Sequence, residues 1–482
     1  MSSETFLWHD FETFGADPRR DRPAQFAAIR TDTELNPVGD AEVIYCKPSH
    51  DMLPQPAACL ITGITPQMAD ERGGPENEFA ARVHELMSRP GTCSVGYNNF
   101  RFDDEVTRFL FWRNFFDPYS REYANGNSRF DLIDLARMTR ALRPEGINWP
   151  DYEDGRPSFR LEDLAAANGM DTSRAHDALA DVEATIGLAR RLIEHQPKLW
   201  QWALGLRQKH RAAALLEKRE ILLHSSSRYP AAPGCNTAPV LPLGQHPHIP
   251  GQWLVWNLNV DPEPFLGLDG ETLGDRYWTA SVDLPEDIER VPVKLVRTNR
   301  CPMLSPLAVL DPASAERLHI EPKRIARHAE RLRANPAFGE RLAGLFTEPG
   351  AGDAIDPELD LYRGFPPRSD QRMLARIRQL APRDLAELGT PFSDDRLNEL
   401  LFRYRARLWP ESLDAEEHQR WEHYRYRRLV SDPELASIRH DEYRRQLAEL
   451  TVARADRLDI LEALAEWPDI IDVPGEPSTA NQ

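Results

Sequence analysis

The stretch Phe6-Leu7-Trp8-His9-Asp10-Phe11-Glu12-Thr13 decides the reading of this chain. It is short and apolar, as a buried strand is, yet it carries two carboxylates two residues apart. Side chains of a strand alternate with period 2, so Asp10 and Glu12 project from one face. Two acids side by side in an apolar run repel each other and are costly to desolvate. A bound cation resolves that conflict, and hard oxygen ligands select Mg²⁺ or Mn²⁺. The competing explanation is an exposed strand end, which needs no cation.

Working outward, AQFAAIRTD (24–32) and AEVIYCKP (41–48) read as hairpin neighbours of this strand, separated by breakers near residue 36. EFAARVHELMSR (78–89) and DALADVEATIGLARRLIEH (177–195) have helical spacing, with Val182, Ile186, Ala189 and Ile193 about one turn apart. Strands interleaved with helices predict an α/β layer structure over residues 1–200. Residues 201–352 change character. A polar helical segment, QWALGLRQKHRAAALLEKREILL, leads through a Pro/Gly-rich stretch around 229–251 to the β-like pieces WLVWNLNV, YWTASVDL and VPVKLVRT. This predicts a small barrel or sheet flanked by helices. EPGAGDAIDP (348–357) has linker composition. Residues 353–475 read as helical, with Leu397, Leu400, Leu401, Tyr404 and Leu408 forming the core stripe of a bundle, and 476–482 as a disordered tail.

Two further pieces carry chemistry. Gly96-Tyr97-Asn98-Asn99-Phe100-Arg101-Phe102-Asp103-Asp104-Glu105 reads as a strand end followed by a helix start rich in acids. Alone, such acids do no more than cap the helix and compensate its dipole. Ala175-His176-Asp177-Ala178-Leu179-Ala180-Asp181 places a histidine five residues before an aspartate. On one ideal helix the two would lie about 140° apart. They converge if His176 sits on the loop before the helix and Asp181 within it, which suits a general base beside a metal-ligating carboxylate. A lone histidine before a helix is otherwise a capping or surface residue.

A strand D-x-E, an aspartate opening a helix and a distal H-x4-D, in this order, resemble the DEDDh superfamily of 3′→5′ exonucleases. The stretches DRPAQFAAIRTD, LITGITPQ, GYNNFRFDDEVTR, RNFFDPY, ALRPEGINWP and PSFRLEDLAAANG narrow the resemblance to the bacterial exonuclease I family, which digests single-stranded DNA. It runs the whole length, dense to about residue 200, clear around VPVKLVRTNRCP and LLFRYRARLWPESLDAEEHQRW, and loose at 220–255. It implies three parts: a ribonuclease H-like α/β exonuclease domain (1–200), an SH3-like α+β domain (201–352) and a C-terminal helical domain (353–475). It further implies Asp10, Glu12, Asp103 and Asp181 as ligands of two Mg²⁺ ions, replaceable by Mn²⁺, and His176 as the catalytic histidine. Arg108, Tyr119, Tyr123, Arg137, Phe159 and Arg160, with Glu12, match positions that contact single-stranded DNA. Arginines grip phosphates, and aromatic rings stack on bases without reading sequence. Tyr123 stands where the best-known member has tryptophan, and core packing is the other use for Tyr119 and Phe159. The family also binds the acidic, Phe-ended tail of single-stranded-DNA-binding protein. Arg143 and Trp202 match that surface, Trp202 replacing a tyrosine.

Composition bounds the alternatives. The 482 residues exceed one hydrophobic core, and 41% apolar with 28% charged residues excludes a disordered chain. No stretch approaches the roughly 18 uninterrupted apolar residues of a membrane span, and the N-terminus lacks the pattern of a secretory signal. Five scattered cysteines without a CxxC pair argue against a disulfide framework or zinc site and fit a reducing cytoplasm. A net charge of −18 argues at first against nucleic acid. Its distribution permits it: residues 100–143 hold 8 bases against 7 acids, interleaved with aromatic residues, and residues 201–233 hold 6 against 2. The expected protein is a monomeric, Mg²⁺-dependent exodeoxyribonuclease of DNA repair and recombination that releases 5′-mononucleotides. Proofreading subunits and oligoribonucleases are much shorter. A catalytically dead scaffold would have no chemical reason to keep the acidic set and His176.

Overall fold

The computed structural model describes residues 4–173, 176–232, 234–346 and 355–476. The tail expected to be disordered lies outside the described residues apart from Glu476, as does most of the linker at 348–357. By contacts between residues the chain forms two units, each discontinuous in sequence: Met1–Asn127 with Ser173–Glu183 and Asp353–Gln482, and Ser128–Thr172 with Ala184–Gly352.

In the first unit, strands β1 (Thr5–Thr13), β2 (Pro23–Thr31), β3 (Glu42–Tyr45) and β4 (Thr92–Gly96) line up in the order β3-β2-β1-β4. The hairpin expectation holds, since β2 pairs antiparallel with both β1 and β3. β4 instead lies parallel to β1, from Thr5↔Thr92 to Trp8↔Val95, so the sheet is mixed. Alternation along β1 separates two faces. Leu7 and Phe11 join Phe26 in a core completed by Phe79, Val83 and Leu86 of helix Glu76–Ser88 and by Val106 and Leu110 of helix Asp103–Arg113. Phe6, Trp8, Asp10 and Glu12 share the opposite face.

Helices from the last third of the chain complete this unit. The stripe on helix Asp395–Leu408 buries Leu397, Leu400, Leu401 and Tyr404 against Phe109, Trp112 and Phe115. Tyr443, Leu447, Leu461, Leu464 and Trp467 pack against Phe14, Met52 and Leu60. Charge is buried between these segments as well. Arg22 Nη2 donates to Glu358 Oε2 at 2.7 Å, Arg407 Nη2 to Asp51 Oδ2 at 2.7 Å, and Arg403 Nη1 to Asp356 Oδ1 at 2.7 Å. Arg407 also reaches Glu358, and Arg428 Nε donates to the Asp51 carbonyl at 2.8 Å. Four arginines held by three carboxylates and a carbonyl satisfy the rule that buried ions are paired and hydrogen-bonded.

The second unit contains β5 (Ser128–Asp131), helix Leu132–Leu142 and a separate antiparallel sheet. That sheet comprises β6 (Leu222–Ser225), β7 (Thr237–Gln245), β8 (Gln252–Asn257), β9 (Val293–Arg297) and β10 (Met303–Pro306), in the order β10-β6-β7-β8-β9. Leu222, Ala238, Val240, Trp253, Val255, Val296 and Leu304 form its core. The small β region expected after residue 201 is therefore present, with one correction. YWTASVDL is not a strand: Tyr277 and Trp278 end helix Gly270–Trp278, and the residues after them pair with no ladder. Asp269 caps that helix through the Thr272 N–H at 2.8 Å, and Leu273 anchors it in the interior, so local helical signals outweigh the β-prone residues at its end.

Candidate active site

Pairing of β1 with β4 stops at Trp8↔Val95, while Asp10 and Glu12 lie farther along β1. The chain leaves β4 at Gly96, where a Cβ would stand 2.8 Å from the Asn99 Cβ and 3.2 Å from the His9 carbonyl oxygen. Only glycine fits that close approach. The loop then delivers Asp103 to the first position of its helix, beside the crevice at the carboxyl end of the strand, the customary place for ligands of open α/β sheets. Across the sheet Asp10 faces Ala27, whose methyl leaves room beside the carboxylate.

Asp10, Glu12 and Asp181 each present a carboxylate oxygen, and the three atoms lie within 4.8 Å of one another. Asp103 lies outside this tight group but borders it. Its Oδ1 accepts the Phe11 N–H at 3.0 Å, the backbone amide between the two strand acids. Thr107 Oγ1 donates to the Asp103 carbonyl at 2.7 Å. The structure thus brings together all four acids singled out by the sequence. It adds Asp177, whose Oδ1 accepts the Ala180 N–H at 3.1 Å and caps helix Ala178–His195. Its proximity to Glu12 and Asp181 is a repulsion the sequence reading missed, since that reading placed Asp177 inside the helical segment.

The electrostatics are those of buried carboxylates that repel one another. Burial, then the charges of Asp103, Glu12 and Asp181, hold the Asp10 carboxyl well above the usual carboxylate range. Burial and then Asp181 push Glu12 up to about 8. Asp103 rises to about 7, because burial outweighs the Phe11 hydrogen bond. Asp181 is also raised, chiefly by burial, against the lowering effect of the His176 charge and of the His176 N–H bonded to it. A donor set of carboxylate oxygens alone, each disfavoured as a bare anion, fits a hard divalent cation.

Two histidines border the acids, and the structure separates their roles. The His9 ring is buried on the opposite face of β1, stacked 6.0 Å from Phe26, and burial with the nearby Arg121 lowers its pKa to about 3. It stays neutral and out of reach of solvent. His176 lies on the exposed loop before the helix, with a left-handed backbone (φ 66°), and its amide bonds Asp181. Loop and helix therefore converge as the spacing predicted.

The residues matched to DNA contact differ in their surroundings. Arg108 is buried and already held by Glu122 at 2.9 Å and Glu105 at 2.7 Å, with its guanidinium 5.3 Å from the Tyr119 ring centroid. Tyr123 is 68% exposed. Tyr119 also meets Phe365 edge-on at 5.5 Å, and Phe365 is 78% exposed. Tyr362 adds its hydroxyl to Arg108 Nη1 at 3.3 Å. Phe365 and Tyr362 were not singled out from sequence, where residues 353–475 read as helical. In the second unit, Phe159 is buried, flanked by Arg137 at 5.6 Å and Arg140 at 5.7 Å, and is built as core rather than as an open stacking platform. Arg137 pairs with Asp134 at 2.5 Å, and the largely exposed Arg160 pairs with Glu162. Arg143 and Trp202 are both pinned to residues 304–311: Arg143 to the Val309 carbonyl at 2.9 Å and Asp311 at 3.1 Å, Trp202 Nε1 to the Leu304 carbonyl at 2.8 Å.

Sequence profiles of known families match nearly the whole chain. The family described as Exonuclease matches residues 7–189, the Exonuclease I SH3-like domain residues 207–348, and the Exonuclease I C-terminal domain residues 355–471. Exodeoxyribonuclease I of Escherichia coli (strain K12) is 45% identical over 472 residues, covering 97% of this chain and 98% of its own. The crystal structure of E. coli exonuclease I in complex with a dA16 oligonucleotide superposes with a TM-score of 0.92 at 44% identity, covering 97% of this chain and 100% of the other. An ExoI/SSB-Ct complex superposes with a TM-score of 0.90 at 44% identity, covering 98% and 100%.

Proposed function

This chain belongs to the exonuclease I family, and on that premise we propose that it hydrolyses single-stranded DNA from the 3′ end, releasing 5′-mononucleotides. The observation that carries the proposal is the set of three carboxylate oxygens within 4.8 Å, with Asp103 bonded to the amide between two of their residues. Asp10, Glu12, Asp103 and Asp181 would hold the metal. When bound, divalent cations (two Mg²⁺ in this reading, with Mn²⁺ able to replace them) neutralise the acids, activate water and stabilise the leaving 3′-oxygen.

The chain's own residues supply the rest. His176 takes the proton of the attacking water at a ring nitrogen, a task closed to the buried, neutral His9. The Phe11 N–H fixes the Asp103 carboxylate, and the His176 N–H does the same for Asp181, so the base and one ligand are positioned by a single loop. Tyr123, Tyr119 and Phe365 offer rings for stacking of successive bases, with Arg108 beneath them. Arg137 and Arg160 would contact the backbone, and Phe159 would support them from the core. We read the domains as 1–200, 201–352 and 353–475, the action as processive and cytoplasmic, and the role as DNA repair and recombination. Among the described residues no helix is long and apolar enough to cross a membrane. The tail of single-stranded-DNA-binding protein would dock at Arg143 and Trp202.

The test uses 5′-labelled single-stranded DNA with Mg²⁺, comparing the protein with Asp10→Ala. A ladder of shortened products that disappears in the variant supports the reading. Equal degradation by both refutes the site.

A further inference from the structure

Away from the carboxylate cluster, the first unit has a cavity of about 510 Å³ between the loop at 47–50 and the helices Asp395–Leu408 and Ala415–Tyr426. That volume falls within the roughly 300–1,000 Å³ of small-molecule sites. It is far more than the roughly 30 Å³ share of a water. Trp421 and Tyr404, both buried, contribute aromatic surface, and Lys47 and His418, both exposed, stand among its lining residues. Buried cations lie within the lining. Arg407, with an 8% exposed side chain, spends Nε and Nη2 on Asp51 and Glu358, while Nη1 enters none of these bonds; its Cζ is 5.7 Å from the Trp421 ring centroid. Arg113 spends Nε and Nη2 on Glu76, and its Nη1 has no hydrogen-bond partner among the described residues.

Each cation of the lining has a carboxylate partner, Lys47 pairing with Asp70 at 2.9 Å and Arg407 with Asp51 and Glu358, yet donors remain beyond these pairs. One Glu76 oxygen accepts from Arg113 and Asn114 together, and Glu422 is held by both oxygens on Arg425. What the lining offers a ligand is therefore donor capacity rather than net charge: Nη1 of Arg113 and Nη1 of Arg407 are not used in these pairs. Guanidinium forks match phosphate oxygens, and a ring laid beside Trp421 and Tyr404 gains stacking and apolar burial. We propose that this cavity binds a nucleoside monophosphate, the phosphate toward the cations and the base toward the aromatic residues, at a site separate from the carboxylate cluster. Such a molecule is the product class of the proposed reaction, and that supply is the only respect in which the inference rests on the proposed function. Occupancy ties the loop at 47–50 to the helices, so bound product would stiffen this face of the unit.

The test is calorimetric titration of the full chain with 2′-deoxyadenosine 5′-monophosphate in EDTA, where the metal-free carboxylates repel phosphate. One binding event is expected, weakened at least tenfold in Lys47→Glu/His418→Glu, with 2′-deoxyadenosine at least tenfold weaker than the monophosphate. Both substituted residues are exposed, and degradation of single-stranded DNA by the double variant should remain unchanged. Absence of binding, equal binding by the double variant, or equal affinity for 2′-deoxyadenosine or inorganic phosphate would each overturn the assignment. Degradation without monophosphate binding refutes this inference alone; binding without degradation refutes only the proposed reaction.

Discussion

Removing one carboxylate from the cluster should make the metal-free protein more stable. Asp181→Asn is the informative change, because Asp181 is the leading charge acting on Glu12 and also acts on Asp10. Glu12 ionises near 4.5 when unperturbed and at about 8 here. At about 1.4 kcal/mol per pKa unit, that displacement corresponds to roughly 5 kcal/mol of cost once the group is ionised without metal. Burial is the larger cause and survives the substitution, so the relief expected is about 1–2 kcal/mol. The sign follows from linkage. A carboxyl raised in the folded state holds its proton more tightly there than in the unfolded chain. Its stabilising contribution is complete below about pH 4.5 and is lost as pH rises through about 8. Thermal unfolding in EDTA should therefore show the wild-type chain losing stability between pH 5 and 8.5 and Asp181→Asn losing less. The variant should lead by a few degrees at pH 8.5, since 1 kcal/mol corresponds to roughly 2–4 °C in domains of 150–250 residues. In millimolar Mg²⁺ the order reverses, because ligand binding to the folded state stabilises it by mass action. A variant no more stable than wild type in EDTA at pH 8.5, with an unchanged pH slope, would refute the account of mutual repulsion.

His176→Ala should lower kcat by about 10²–10⁴, the usual worth of a positioned base, while single-stranded DNA binding, followed by fluorescence anisotropy, stays within twofold. Tyr123→Ala and Phe365→Ala should each weaken oligonucleotide binding by about 1–3 kcal/mol, the worth of one stacked base, with unfolding temperatures unchanged because both rings are exposed. Arg407→Met leaves Asp51 and Glu358 short of a buried partner and should cost about 3–5 kcal/mol, measured by urea unfolding. Arg143→Ala should reduce affinity for an acidic, Phe-ended tail peptide at least tenfold in a direct binding assay; unchanged affinity would remove Arg143 from that surface.

The site was legible where chemistry is local. Asp10 and Glu12 share a face because a strand repeats every two residues. His176 and Asp181 converge because the helix begins at Ala178, between them. Asp103 was visible as an acid opening a helix, but the bond from Phe11 that ties it to the strand spans 92 residues and leaves no trace in any window of sequence. The same limit hid Phe365, whose contact with Tyr119 joins residues more than 240 positions apart. Phe159 and Tyr123 both read as aromatic DNA contacts, yet one is core and the other surface. Residue type alone does not set that difference; tertiary neighbours do, and for Phe159 they include Arg137 and Arg140. YWTASVDL failed for a related reason, because β-prone residues form a strand only where a neighbouring ladder accepts them.

The buried pair of Arg22 and Glu358 has a consequence for how the chain comes into being. The two residues are 336 positions apart. A ribosome adding about 5–20 residues per second makes Glu358 roughly 17–67 s after Arg22. Until then Arg22 has no Glu358 carboxylate, and Phe14, Met52 and Leu60 await Trp467 and its neighbours still later. The nascent catalytic sheet must spend that interval with an open charged and greasy flank. Its newly made N-terminal third is thus a natural client for chaperones, and truncation near residue 350 would leave an aggregation-prone fragment instead of a minimal nuclease.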